Sequence, residues 1–166
     1  MERILIIGCG GAGKSTLARS LGEKLGIPVV HLDQLWWKPG WIESNRDEFD
    51  EKLAVALDKP QWIMDGNFNR TLQTRLGKCD TVIYLDFSRW VCLFRVIYRV
   101  VTNLGKTRPD MTPGCKERLN FDFVKWIWGF NAKNRERYYG LLNETSHAQT
   151  VVLKNDKMVR RFLNSL

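Results

Sequence analysis

One stretch near the N-terminus narrows what this chain can fold into more than any other. Ile4-Leu5-Ile6-Ile7 is a short apolar run, and Gly8-Cys9-Gly10-Gly11-Ala12-Gly13-Lys14-Ser15-Thr16 follows it directly. The run reads as a buried strand, the glycines as a tight turn, and the residues beyond as a helix. Gly8, Gly13, Lys14 and Ser15 stand in the spacing G-x-x-x-x-G-K-[ST]. Glycine lets the backbone curl until successive N–H groups converge on one anion. Lys14 adds a point charge for the outer phosphates of a polyphosphate, and the Ser15 hydroxyl can ligate Mg²⁺. A helix that begins here contributes its dipole and its free N–H groups to the same site. Gly8, Gly10, Gly11, Ala12, Gly13, Lys14, Ser15 and Thr16 are therefore the expected cradle for nucleotide phosphates.

The rest of the chain alternates short apolar runs with helical patterns. A first helix is expected from Lys14 to Leu25, with Leu17, Leu21 and Leu25 on its inner stripe, closed by Gly26 and Pro28. Val29-Val30-His31-Leu32 reads as a second strand ending at Asp33, followed by an aromatic loop over 35–41. Ser44 with Asp47 resembles a capping box for a helix to about Leu57. Gln61-Trp62-Ile63-Met64 is the third strand and ends at Asp65-Gly66-Asn67; Thr81-Val82-Ile83-Tyr84-Leu85 is the fourth and ends at Asp86. Ser88 can cap a helix whose apolar positions Trp90, Phe94, Ile97 and Val101 keep helical spacing. A polar segment from Leu104 to Cys115 suits a loop or lid. A helix from about Lys116 to Leu142 follows, with Phe121, Val124 and Trp128 on its aromatic side and a break near Gly129. Thr150-Val151-Val152-Leu153 is the fifth strand, and Asp156 caps a last helix.

Continuous apolar strands alternating with helices predict an α/β fold: a three-layer arrangement with a five-stranded parallel sheet, helices on both faces and a small helical lid. The 166 residues make one domain, 1–166, with the lid over about 104–137. In such sheets ligands sit at the carboxyl ends of the strands. Gly8, Asp33, Asp65 and Asp86 all fall at strand carboxyl ends, so a phosphate-binding loop and three carboxylates share one edge. No apolar run reaches the ~18–20 residues of a membrane span, and the expected location is cytoplasmic. Cys9, Cys79, Cys92 and Cys115 show no paired spacing, which argues against structural zinc. A net charge of +8 suits nucleic acid, and it equally suits arginines gathered around phosphorylated ligands.

These residues resemble the adenylate-kinase-like branch of P-loop kinases. Within it, His31-Leu32-Asp33, Trp36-Trp37-Lys38-Pro39-Gly40-Trp41, Asp65-Gly66-Asn67-Phe68 and Thr107-Arg108-Pro109-Asp110 resemble bacterial DNA topology-modulation (FlaR-type) proteins. The resemblance implies ATP and Mg²⁺ as cofactors, with Ser15 and Asp65 on the metal. It implies Asp65, Asn67 and Arg70 on the acceptor side, Arg70 as the arginine on an acceptor phosphate. Arg95 and Arg99, four apart, take the adenine side and the phosphates; Arg135 and Arg137 close on the transferring group; Lys154-Asn155 wraps adenine. Where nucleotide kinases of this kind carry an arginine on the monophosphate, this chain has Trp36, so the acceptor need not be a nucleoside monophosphate.

Several roles stay open from sequence. Asp33 fits a base for a hydroxyl acceptor, a carboxylate behind the magnesium ion, or a turn cap. Asp65 and Asp86 both fit the magnesium-side aspartate, the resemblance favouring Asp65. Trp36, Trp37 and Trp41 suit a stacking platform or a hydrophobic plug. The leading expectation is a kinase that moves the γ-phosphoryl of Mg·ATP to a small acceptor, with Lys14, Asp33, Arg99, Arg135 and Arg137 as its catalytic residues. The alternative is a nucleic-acid-associated regulator in which ATP only sets conformation; no recognised nucleic-acid-binding motif accompanies it.

Overall fold

The computed structural model describes residues 1–166. Its centre is a five-stranded, all-parallel sheet in the order β2-β5-β1-β6-β7. The strands are β1 (Arg3–Gly8), β2 (Val29–His31), β5 (Trp62–Asp65), β6 (Thr81–Leu85) and β7 (Gln149–Leu153). Side chains on a strand alternate between the two sheet faces. Every residue of β5 and β6, and of β1 from Ile4 onward, is nonetheless buried. Both faces are therefore covered, as an all-parallel sheet requires.

The covering helices are α1 (Lys14–Leu25), α2 (Leu32–Trp36), α3 (Arg46–Leu57), α4 (Leu72–Lys78), α5 (Arg89–Asn103), α6 (Phe121–Glu144) and α7 (Asp156–Asn164). A two-stranded hairpin, β3 (Trp37–Lys38) with β4 (Ile42–Glu43), stands apart from the sheet. The core joins the strands to the inner faces of these helices, with Trp62, Arg75, Tyr84 and Tyr138 among its largest fully buried side chains. None of the helices is long and apolar enough to cross a membrane.

Several local expectations need correction. Helix α3 is capped by Asn45, whose side chain accepts from the Glu48 amide, so the capping signal sits one residue beyond Ser44. Asn155, not Asp156, caps α7. Asp33 lies in the first turn of α2, past the end of β2. Gly129 does not interrupt α6. Of the segment expected as a helical lid, only the start of α6 is helical: residues 104–120 form an irregular strap held by two short bridges, Leu104 with Glu117 and Thr107 with Lys116. The long helices are also rotated from their expected phase. Cys92, Leu93, Val96 and Val100 face the core from α5, and Ile127, Phe130, Tyr138 and Leu142 from α6. Trp90, Phe94, Ile97 and Val101 are exposed, as are Phe121 and Trp128.

Candidate active site

The glycine-rich loop joins β1 to α1 at the centre of the sheet's carboxyl edge. Gly13 precedes α1 with φ 98°, in the left-handed region that glycine reaches without a Cβ penalty. Gly10 sits in the turn of the loop and is tightly covered. A Cβ on it would come within 2.6 Å of the Phe123 ring, so the start of α6 packs directly on the loop. Lys14 Nζ donates to the carbonyls of Gly8 (2.9 Å) and Cys9 (3.0 Å). Asn67 Oδ1 accepts from the Gly8 amide at 3.1 Å, which ties the turn after β5 to the loop.

Asp65 ends β5 as the neighbour of β1, and its oxygens have separate partners. Ser15 Oγ donates to Oδ2 at 2.6 Å and His31 Nδ1 to Oδ1 at 2.5 Å. The second contact follows from register, since His31 and Asp65 are paired positions of the parallel β2–β5 ladder. Burial works against the charged His31 imidazole, but the hydrogen bond and the charge of Asp65 outweigh it and hold its pKa above the usual 6.5. A hydroxyl and a carboxylate at this separation beside a phosphate-binding loop are the donor types Mg²⁺ takes, alongside water and phosphate oxygens. Asp86, just past the end of β6, is already engaged by Arg135 Nη2 (2.8 Å) and Tyr139 Oη (2.9 Å).

Gly10, Lys14, Ser15, Asp65 and Asn67 border a cavity of about 700 Å³. One wall is the loop, from Gly10 through Thr16, with Arg19 one turn along α1. Asp65 to Phe68 adjoin that wall, and Asp33 and Trp36 of α2 with Trp37 and Trp41 of the hairpin line the cavity further. Arg95 and Arg99 enter from α5, and Arg108, Met111, Glu117 and Arg118 from the strap, with Phe123 and Trp126 closing the end. The Asp33 carboxylate makes no hydrogen bond to another side chain. Burial pushes its pKa up, opposed by Lys14 and reinforced by Asp65. Trp36 packs edge-on against Phe49 (5.6 Å) and Phe68 (6.0 Å), so it is at once cavity lining and plug.

Charged residues knit the strap to α5. Glu117 receives Arg99 (3.1 Å) and Arg108 (2.7 Å), and Arg108 also meets Asp110 at 2.6 Å. Burial and the neighbouring Arg108 draw the Arg99 guanidinium below its usual range. Other contacts clasp the strap to the hairpin: Thr112 Oγ1 donates to the Trp37 carbonyl at 2.5 Å, Trp41 Nε1 to that of Lys116 at 2.8 Å, and the Gly40 amide to that of Gly114 at 3.3 Å.

Not every residue singled out from sequence comes to the cavity. Arg70 points outward and forms a two-pronged ion pair with Asp50 of α3 (2.7 and 2.6 Å). Arg135 is half exposed and spent on Asp86, and Arg137 lies on the outer face of α6. Asn155 is exposed and serves as a helix cap. Arg95 instead reaches that corner, donating to the Ala12 carbonyl (3.2 Å) and to Asp156 (2.6 Å) across the Phe87 ring. It borders a smaller cavity of about 230 Å³ with Gly13, Thr16, Asp156 and Val159.

Arg19, Arg118 and Arg75 belong to none of the sequence motifs. Arg19 was findable, since it follows Ser15 by one helical turn. Arg75 is fully buried and donates to the carbonyls of Gly66 (3.0 Å), Asn67 and Phe68 (3.0 Å), with burial pulling its pKa down to about 10. No local signal marks it, because its partners belong to a turn that only the fold shapes.

A parallel sheet with a glycine-rich loop between its central strand and the following helix, and an aspartate on the adjacent strand, defines the P-loop nucleotide-binding class, here with a kinase-like site. Residues 4–89, just over half of the chain, match the AAA domain family, and the chain belongs to that family. Its relatives are kinases. It is 27% identical over 88 residues to adenylate kinase of Thermotoga neapolitana, covering 52% of this chain and 39% of that one. It is 30% identical over 122 residues to gluconokinase of Arabidopsis thaliana, covering 73% and 57%. The chain spans about two-fifths of the length of the curated adenylate kinases it matches. Among solved structures, shikimate kinase from Bacteroides thetaiotaomicron superposes with TM-score 0.57 at 16% identity over 99% of this chain and 95% of that one. Deoxyadenosine kinase from M. mycoides with bound dATP gives 0.54 at 18%, over 98% and 97%. At these identities the likeness is one of fold.

Proposed function

We propose that this chain is an ATP-dependent phosphotransferase that moves the γ-phosphoryl of Mg·ATP onto a hydroxyl of a small acceptor. The observation that carries the reading is the Asp33 carboxylate, free of side-chain partners, lining the same cavity as the phosphate-binding loop and within reach of the Lys14 charge. An anionic phosphate acceptor needs no base, whereas a hydroxyl must lose its proton as its oxygen attacks phosphorus and ADP leaves. A carboxyl group raised by burial is better matched to that proton near neutral pH.

In this reading the amides of Gly8 to Thr16 hold the β- and γ-phosphates, and Lys14 leaves its loop carbonyls to neutralise them. Ser15 and Asp65 would hold Mg²⁺, which would supply Lewis-acid charge to the phosphates. The smaller cavity beside Arg95 and Asp156 takes the base of ATP. Arg99, expected in this part from sequence, joins Arg108 and Arg118 in supplying guanidinium charge to the transferring group, while Arg135 and Arg137 stay outside the cavity. Trp36, Asn67 and Asp33 face the acceptor, while Arg70 contributes only its surface pair with Asp50. Gluconokinase and shikimate kinase carry names that fit small hydroxylated acids as acceptors. Within the kinases, the Trp-Trp-Lys-Pro-Gly-Trp and Asp-Gly-Asn pieces support a place near the FlaR-type proteins. No nucleic-acid-binding element supports the regulator reading, and many of the arginines surround the cavity.

The test is ADP release from Mg·ATP against nucleosides, sugars, hydroxy acids and nucleoside monophosphates. Turnover with a hydroxyl acceptor, lost in Lys14→Ala, is expected. Turnover with phosphate-bearing acceptors alone would demote Asp33 from base, and normal turnover in Lys14→Ala would remove the mechanism.

A further inference from the structure

Helix α5 is apolar on two sides, and the subunit uses only one of them. Cys92, Leu93, Val96 and Val100 fill the core. On the outside stand Trp90, Phe94, Ile97 and Val101, with Leu104 just past the helix end, spaced four, three, four and three residues apart. Their relative exposures are 62%, 70%, 49%, 73% and 66%. Tyr98 stacks beside Phe94 at 6.3 Å, and Trp90 meets Trp128 of α6 edge-on at 5.0 Å, which widens the strip. Arg95 and Arg99 do not interrupt it, because both turn into the cavity.

The four–three alternation is the seam of one helix packed along another. Its area also matches such a partner. With a fully exposed large side chain at about 150–250 Å², the strip presents roughly 700–800 Å². That is near the ~800 Å² each partner brings to a standard interface and above the ~300–600 Å² patch of an ordinary monomer. A membrane-surface helix would instead be rich in lysine or arginine on its solvent face, and α5 spends its mid-helix arginines inside.

We infer that α5 is the interface of a homodimer, with α5 of two copies packed antiparallel about a two-fold axis near Ile97. The spacing is close to symmetric about that residue, as an isologous contact requires. Trp90 then faces Leu104 of the partner subunit, and Phe94 faces Val101 of the partner subunit, each ring opposite a smaller side chain. Antiparallel packing also sets the positive end of each helix beside the negative end of the other. The dimer braces the helix that carries Arg95 and Arg99 into each cavity.

Sedimentation equilibrium across the micromolar range tests this independently of any catalytic reading. The expected mass is twice the 19.4 kDa of the chain. Phe94→Glu and Val101→Glu are each expected to give monomers with unchanged far-UV circular dichroism, the substituted positions being exposed. Ile97→Cys, in an otherwise unaltered chain whose four cysteines are buried, is expected to cross-link to the doubled mass under mild oxidation and to revert with reductant. A monomeric natural chain overturns the inference, whether or not it binds anionic vesicles. So does a dimer that survives both glutamate substitutions, or an Ile97→Cys dimer that does not cross-link.

Discussion

Asp65 shows how much one residue's role depends on which strands lie beside it. Its place at a strand end was legible, as was Ser15 in the loop motif, and adjacency of β1 and β5 brings them to 2.6 Å. His31 was legible only as a residue near a strand end, because the parallel register that sets it against Asp65 spans the intervening helices. Arg70 illustrates the reverse. Its spacing after Asp65 suggested an acceptor clamp, yet Asp50, two elements earlier, claims it at the surface. Arg70→Ala is therefore expected to leave kcat and acceptor KM within about two-fold, with at most ~1 kcal/mol of stability lost, the usual range for an exposed pair. Asp33→Asn removes the proposed base without changing shape, and kcat for a hydroxyl acceptor should fall about 10²–10⁴-fold, while stabilisation by Mg·ATP is retained. His31 gives a pH signature. Its folded pKa lies above 6.5, so the stability it contributes is complete below about pH 6.5 and is lost as pH rises through the folded value. Chemical denaturation of the metal-free protein should show that decline above about pH 6.5, and His31→Asn should flatten it.

Helix and strand existence was legible at the element scale; the phase and the ends of helices were not. The apolar period on α5 fits either of two faces, and which one meets the sheet depends on how α6 crosses it. Caps shifted by one residue, to Asn45 and Asn155, because several polar residues at each helix start compete for the same amides. The strap from 104 to 120 could be recognised from its prolines and glycines, but not its grip on the hairpin, which joins positions about 75 residues apart. That grip has a measurable consequence. Thr112→Val removes one donor to the Trp37 carbonyl, worth about 1 kcal/mol. The open population of the strap should rise about five-fold. Amide exchange across 106–118 should quicken, and ATP hydrolysis without acceptor should increase; exchange confined to the natural rate would show that the hydrogen bond does not hold the lid.

For the molecule as a whole, the sequence foretold a parallel five-stranded sheet but not its strand order, which no local pattern encodes. That order puts the loop-bearing β1 between β5 and β6, so Asp65 and Asp86 flank it on opposite sides. Asp86 is then taken by α6 through Arg135 and Tyr139, which leaves Asp65 as the aspartate beside the phosphate loop. That position supports Asp65, rather than Asp86, in the proposed metal-side role. Several arginines from α1, α5 and the strap converge on one cavity, and bringing them together costs stability through mutual repulsion. A polyanion in the cavity relieves that cost, so the whole domain should be stabilised by nucleotide. At a ligand concentration one hundred times Kd the gain is about 2.7 kcal/mol, which at ~2–4 °C per kcal/mol for a domain of this size raises Tm by about 5–11 °C. Differential scanning calorimetry with ATP should show this shift in the presence of Mg²⁺ and a smaller one in chelator, if the ion sits at Ser15 and Asp65 as proposed. Lys14→Ala should lose most of the shift while melting at a similar temperature without ligand. An equal shift in that variant would place the nucleotide elsewhere on the molecule.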